Sequence, residues 1–178
     1  MAAAICAASL LMTGCGSDKA AGDTIKISAI GEMTGYNDSY GTSMMRGFNM
    51  AVKEINANCG INGKKIALVE ADTKSEPAEA ANAMSKLINQ DKVSMVAGIF
   101  TSSSAIAACN ISETAKNPYL AIGATNPSVT VAKDGSTKPN TFRVCFIDPF
   151  QGTVGANFVS NELKAKTAAL YIDNSSDY

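Results

Sequence analysis

Residues 93–104 read VSMVAGIFTSSS. An apolar run from Val93 to Phe100 ends abruptly in four hydroxyl residues, Thr101 to Ser104. A short apolar run with polar flanks reads as a buried strand. Ser and Thr directly after it read as a helix start, because their oxygens accept from the free N–H groups of a first turn. A strand running into a helix is half of a βαβ unit, and the carboxyl end of such a strand is where open α/β sheets bind ligands. Beyond simple capping, the hydroxyls admit three readings: a phosphate cradle, a nucleophilic serine, or a seat for a ligand carboxylate.

On both sides of this segment the same alternation recurs. TIKISAIG, residues 24–31, is a β-branched strand, and Met44, Met45, Phe48, Ala51, Val52 and Ile55 at helical spacing predict a helix over about 41–57. KKIALVEAD, ending at Asp72, is a second strand. Ala80, Met84, Leu87 and Ile88 mark a helix begun near Glu76-Pro77, where proline suits a first turn. After VSMVAGIF come a helix over about 103–115, the strand YLAIG, a polar loop and a short TFRVCF strand. A helix over about 150–164 and a last strand, AALYID, complete the series. Strands alternating with helices predict an α/β fold, a doubly wound parallel sheet with right-handed crossovers. The methionines fall mostly at helix-core positions. Gly60-Ile61-Asn62-Gly63-Lys64-Lys65 lacks the hydroxyl residue of a phosphate loop and leads into a strand, so it is a turn.

Composition narrows the chemistry. The 178 residues are 46% hydrophobic with a formal net charge of −1, which suits a folded domain and gives no electrostatic reason to bind nucleic acid. Histidine is absent from the sequence, so neither a His-based nucleophile nor a His-containing metal site can be built from it. A hydrolase using one of the TSSS serines would need a lysine base, and no Gly-x-Ser-x-Gly elbow occurs. No catalytic residue, metal or cofactor is expected.

The first 15 residues, MAAAICAASLLMTGC, are too short an apolar stretch to span a bilayer. They resemble a bacterial lipoprotein signal, with Met12-Thr13-Gly14-Cys15 as the lipobox and Cys15 as the lipidated residue. Two departures stand out: Met12 where Leu is commoner, and no basic residue before the apolar run. A buried N-terminal helix is the competing reading. On the lipoprotein reading residues 1–14 are a signal peptide and 15–23 a polar tether. Cys59, Cys109 and Cys145 then remain, with room for at most one disulfide among them.

The segments IGEMTGYNDSYG, GFNMAVKEINANCGINGKKIALVEADTKSEP, GIFTSSSA, IGATNPSVT, FRVCFIDPFQG and YIDNSSDY, taken in this order, resemble the substrate-binding proteins of bacterial ABC importers. The branch is that of the Leu/Ile/Val-binding proteins, with the type I periplasmic-binding-protein fold. The resemblance implies two lobes about a hinge, with residues 24–145 in the first and 146–178 forming the crossover and the start of the second. It implies an extracytoplasmic, lipid-anchored receptor that hands an amino acid to ABC permease subunits. The same fold also serves as the extracellular part of sensors, which is the alternative. The resemblance further implies that the ligand carboxylate meets Thr101, Ser102 and Ser103 and the loop Gly123-Ala124-Thr125. The Gly123 carbonyl and Asp148 would take the ammonium, with Tyr40 and Tyr178 contacting the bound amino acid. Against this, Thr125 could merely open the turn before Asn126-Pro127, and Asp148 could merely cap the next helix.

Overall fold

A strand needs a neighbour to pair with, and pairing trims the predicted strands to different lengths. The computed structural model describes residues 24–172. Its five strands are β1 (Thr24–Gly31), β2 (Lys65–Asp72), β3 (Met95–Gly98), β4 (Tyr119–Ala121) and β5 (Thr141–Arg143). They form one sheet in the order β2-β1-β3-β4-β5, and every pair is parallel. The helices are α1 (Asp38–Ala57), α2 (Pro77–Asn89), α3 (Ser102–Ala115) and α4 (Asp148–Asn157), the last running into a π-helical turn at Phe158–Glu162. This is the α/β class expected. The strand order reverses at β1, with β2 on one side and β3 on the other, which opens a crevice at the carboxyl ends of β1 and β3.

Right-handed crossovers put α1 on one face of the sheet and α2 and α3 on the other. The core lies on the α2–α3 side. There Met84 and Leu87 of α2 meet Ala105, Ala108 and Cys109 of α3 and the Tyr119 ring, all essentially without exposure. Alanines, Cys109 and Ser112 at helical spacing give α3 a narrow buried face that lets it approach α2 and the sheet closely. Burying a side chain such as Leu87 contributes about 1.5–3 kcal/mol. The opposite face is thinner: α1 buries only Gly41 and Met45, and Ile55 of the predicted stripe is exposed.

Three expectations need correction. VSMVAGIF yields only a four-residue strand, since Gly98 (φ +133°) and Ile99 (φ +58°) turn the backbone out of the sheet. AALYID forms no strand over 168–172, because the chain leaves the sheet after β5 and those residues find no partner. Asp173 lies outside the described residues. The helix expected over 150–164 starts earlier, at Asp148, ends its regular part at Asn157 and buries no residue. The turn at Gly60–Lys65 is as expected, with Ile61 and Lys64 exchanging backbone hydrogen bonds of 2.8 and 3.0 Å. Cys109 and Cys145 are free thiols, so no bridge joins them.

Candidate functional site

The crevice floor is the loop leaving β1, and it is held from β2. Asp72 accepts from the N–H of Met33 (2.9 Å) and Thr34 (3.2 Å), the Thr34 hydroxyl (2.6 Å) and the Lys74 N–H (2.8 Å). Burial alone would push its carboxyl up. The Thr34 hydroxyl and the three N–H donors outweigh that and hold it below the usual carboxylate value. Ser75 completes the seam, accepting from the Asn37 N–H at 3.0 Å and donating to the Thr34 carbonyl at 2.9 Å.

From β3 the chain enters the TSSS segment through Ile99, a buried β-branched residue at positive φ. Such backbone strain persists only where surroundings enforce it. The Ile99 N–H is held by the Ile30 carbonyl at 2.8 Å, and the two residues that follow are held by Glu32, which is 0% exposed. Its carboxylate accepts from the Phe100 N–H (3.2 and 3.1 Å), the Thr101 N–H (3.0 Å) and the Thr101 hydroxyl (2.8 Å). Thr101 occupies the N-cap position of α3, yet its side chain makes no capping hydrogen bond to that helix. The first bond into the helix is from Ala105 N–H to the Thr101 carbonyl at 3.0 Å. The N–H groups of Ser102, Ser103 and Ser104 precede it, at the positive end of the helix dipole. Simple capping therefore does not explain the four hydroxyls.

The loop after β4 is locked against this helix start. Ser102 Oγ accepts from the Asn126 N–H at 3.2 Å. Arg143 of β5 reaches back along the loop, donating to the carbonyls of Ala124 (2.9 Å), Asn126 (3.0 Å) and Pro127 (3.2 Å) and to Thr130 Oγ1 (2.7 Å). Asn126, not Thr125, opens the following turn, its side chain accepting from the Ser128 N–H at 2.9 Å. Thr125 is 5% exposed and, among the described residues, its hydroxyl has no hydrogen-bond partner. An unmet buried hydroxyl costs about 1–3 kcal/mol, so the fold alone does not favour it. The Asp148 N–H donates to the Thr125 carbonyl at 3.2 Å, which brings the acid beside that loop. The N-cap of α4 is Ile147, so Asp148 is no side-chain cap.

Aromatic rings close one flank. Tyr40 of α1 stacks on Phe100 with centroids 4.4 Å apart and planes 7° apart. The other side of the crevice brings Gly123 so close to the Phe100 ring that a Cβ there would overlap it. Thus Tyr40, Thr101, Ser102, Ser103, Gly123, Ala124, Thr125 and Asp148 belong to one contiguous region. Tyr178 and Cys15 lie outside the described residues. Glu32, Phe100 and Arg143 were not among the expected site residues. The signal available for Phe100 was its place inside GIFTSSSA. Glu32 pairs with partners 68 and 69 positions away, which no local pattern reveals.

A crevice at the switch point of a 2-1-3-4-5 sheet, edged by an uncapped helix start, can be compared with known proteins. The profile of the periplasmic binding protein family matches residues 24–177. The chain belongs to the periplasmic binding protein family. Its members are binding proteins rather than enzymes. An amino acid binding protein of Pseudomonas aeruginosa is 40% identical over 149 residues, covering 84% of this chain and 39% of that protein. The Leu/Ile/Val-binding protein homolog 1 of Brucella abortus is 38% identical over 142 residues, 78% of this chain and 36% of its own length. Among solved structures of the family, the branched-chain amino acid transporter substrate binding protein LivJ of Streptococcus pneumoniae, in complex with isoleucine, superposes with a TM-score of 0.80. It is 42% identical and is matched over 87% of this chain and 43% of its own. The leucine binding protein LivK of Thermotoga maritima gives a TM-score of 0.77 at 35% identity, over 87% of this chain and 42% of its own. The chain thus spans about two fifths of the length of these family members.

Proposed function

We propose that the chain forms the first lobe, over residues 24–145, and the start of the second lobe of an extracytoplasmic receptor serving an ABC importer. Its ligand is an amino acid, branched-chain or similar, passed to the permease. The observation that carries this reading is the pairing of an uncapped α3 start with the buried, unpartnered Thr125 hydroxyl, with Asp148 next to the same loop. The N–H groups of Ser102 and Ser103 and the Thr125 hydroxyl suit a carboxylate, and Asp148 and the Gly123 carbonyl suit an ammonium. The amino-acid binders among the relatives support the same class. Tyr40 and Tyr178 contribute to the wall. We place the lipid anchor at Cys15, following the signal-like N-terminus. Labelled fatty acid supplied to a bacterial host should mark the full-length protein but not Cys15→Ala; equal labelling of both would refute the anchor.

A thermal-shift screen of the full-length protein against the twenty amino acids tests the ligand class. Leucine, isoleucine or valine should raise Tm at millimolar concentration, as ligands of the native state do. No shift with any amino acid would overturn the reading.

A further inference from the structure

Thr101 has one hydroxyl proton, and its direction is fixed. A carboxylate offers only acceptors, so at 2.8 Å from Glu32 the Thr101 hydroxyl must donate inward. Thr101 is half-buried rather than enclosed, and with its proton turned to Glu32 its oxygen has only lone pairs to offer a second partner. Donors for an anion are supplied elsewhere in the crevice: the Thr125 hydroxyl is buried without a partner, and the first N–H groups of α3 precede its first helical bond. We infer that Thr101 is an acceptor for the ligand's ammonium, not a donor to its carboxylate, and that Glu32 is the positioning residue that sets this polarity. Glu32 touches no ligand in this scheme; it is fully buried behind Thr101. Its bonds to the Phe100 and Thr101 N–H groups also hold the segment just past the strained Ile99, where the β3 ladder has ended.

This inference rests on the amino-acid reading above. Its test compares leucine with 4-methylpentanoate, the same skeleton without the amine, by calorimetric titration and competition on the full-length protein. Thr101→Val should weaken leucine about tenfold while changing 4-methylpentanoate by less than about twofold, since only the acceptor to the ammonium is lost. Thr101→Ser should restore the wild-type ratio. The Thr101 N–H and hydroxyl share one Glu32 oxygen, so Glu32→Ala, which removes that acceptor from both, is the variant that frees the hydroxyl proton to face the crevice. The preference for leucine over 4-methylpentanoate should then fall about tenfold. A purely structural Glu32 would weaken both ligands by one factor and leave the ratio unchanged. Equal losses for both ligands in Thr101→Val would overturn the inference and leave the amino-acid reading standing. So would failure of 4-methylpentanoate to compete with leucine for the wild type. A wild-type protein that binds no amino acid would overturn both.

Discussion

Gly98 marks where β3 must stop. Its φ of +133° is a region L side chains rarely adopt, and a Cβ there would overlap the Ile30 carbonyl of the neighbouring strand. Gly98→Ala should therefore destabilise the fold by about 2–3 kcal/mol or more, read from a denaturant midpoint. Thr125 presents the opposite case, a residue whose removal the fold should tolerate. Thr125→Val discards an unpartnered buried hydroxyl, so its melting temperature should equal or exceed that of the wild type while amino-acid affinity falls about tenfold. A loss of stability with unchanged affinity would place that hydroxyl in the structure rather than the site. Asp72 carries the acid response. Because its carboxyl sits below the usual value when folded, it adds stability above the unfolded pKa and loses it as pH falls through the folded one. Asp72→Asn should cost about 2 kcal/mol near neutrality, and the gap to wild type should close only below about pH 4. A gap that persists unchanged to pH 2 would contradict the hydrogen-bonding cause.

Elements were legible to the degree that their signals are local. Pro77 sits at the first position of α2 with Glu76 as its N-cap, and Met84 and Leu87 are buried, as the helical spacing requires. The β1 and β2 runs pair along all eight residues from Thr24↔Lys65 to Gly31↔Asp72. The end of β3 was not legible, since Ile99 at positive φ is bonded to Ile30 of β1 and the residue after it to Glu32, both far away in sequence. Residues 168–172 misled for a related reason: an apolar run specifies a strand only when a neighbour offers its hydrogen bonds. The candidate site was legible as hydroxyls and a carboxylate in loops, while the groups aiming them were not. Arg143 is the clearest of these, a β5 residue that ties four acceptors along the loop bearing Thr125. Arg143→Met should keep the hydrophobic stem but release the loop, so binding weakens through faster dissociation with a modest fall in Tm. Unaltered dissociation in stopped-flow measurements would show that the clamp is dispensable.

Across the whole molecule, apolar exposure is uneven. Phe146, Phe150, Val154, Phe158 and Leu163 are all at least half exposed, and α4 buries nothing. Residues 24–143 hold the sheet and core, and on the proposed function those beyond them begin the second lobe of a two-lobed receptor. Binding would then be divided between lobes. If the whole protein binds near micromolar, about −8 kcal/mol, and this lobe supplies half, residues 16–178 alone should bind near millimolar and no tighter than about 0.1 mM. The most direct measurement is calorimetric titration of leucine into the full-length protein and into its Asp148→Asn variant. The wild type should give saturable one-to-one binding near micromolar, and the variant should lose at least about tenfold in affinity with its melting temperature nearly unchanged. Equal affinities for the two proteins, or no heat with the wild type for leucine, isoleucine or valine, would contradict an amino-acid site at the switch-point crevice.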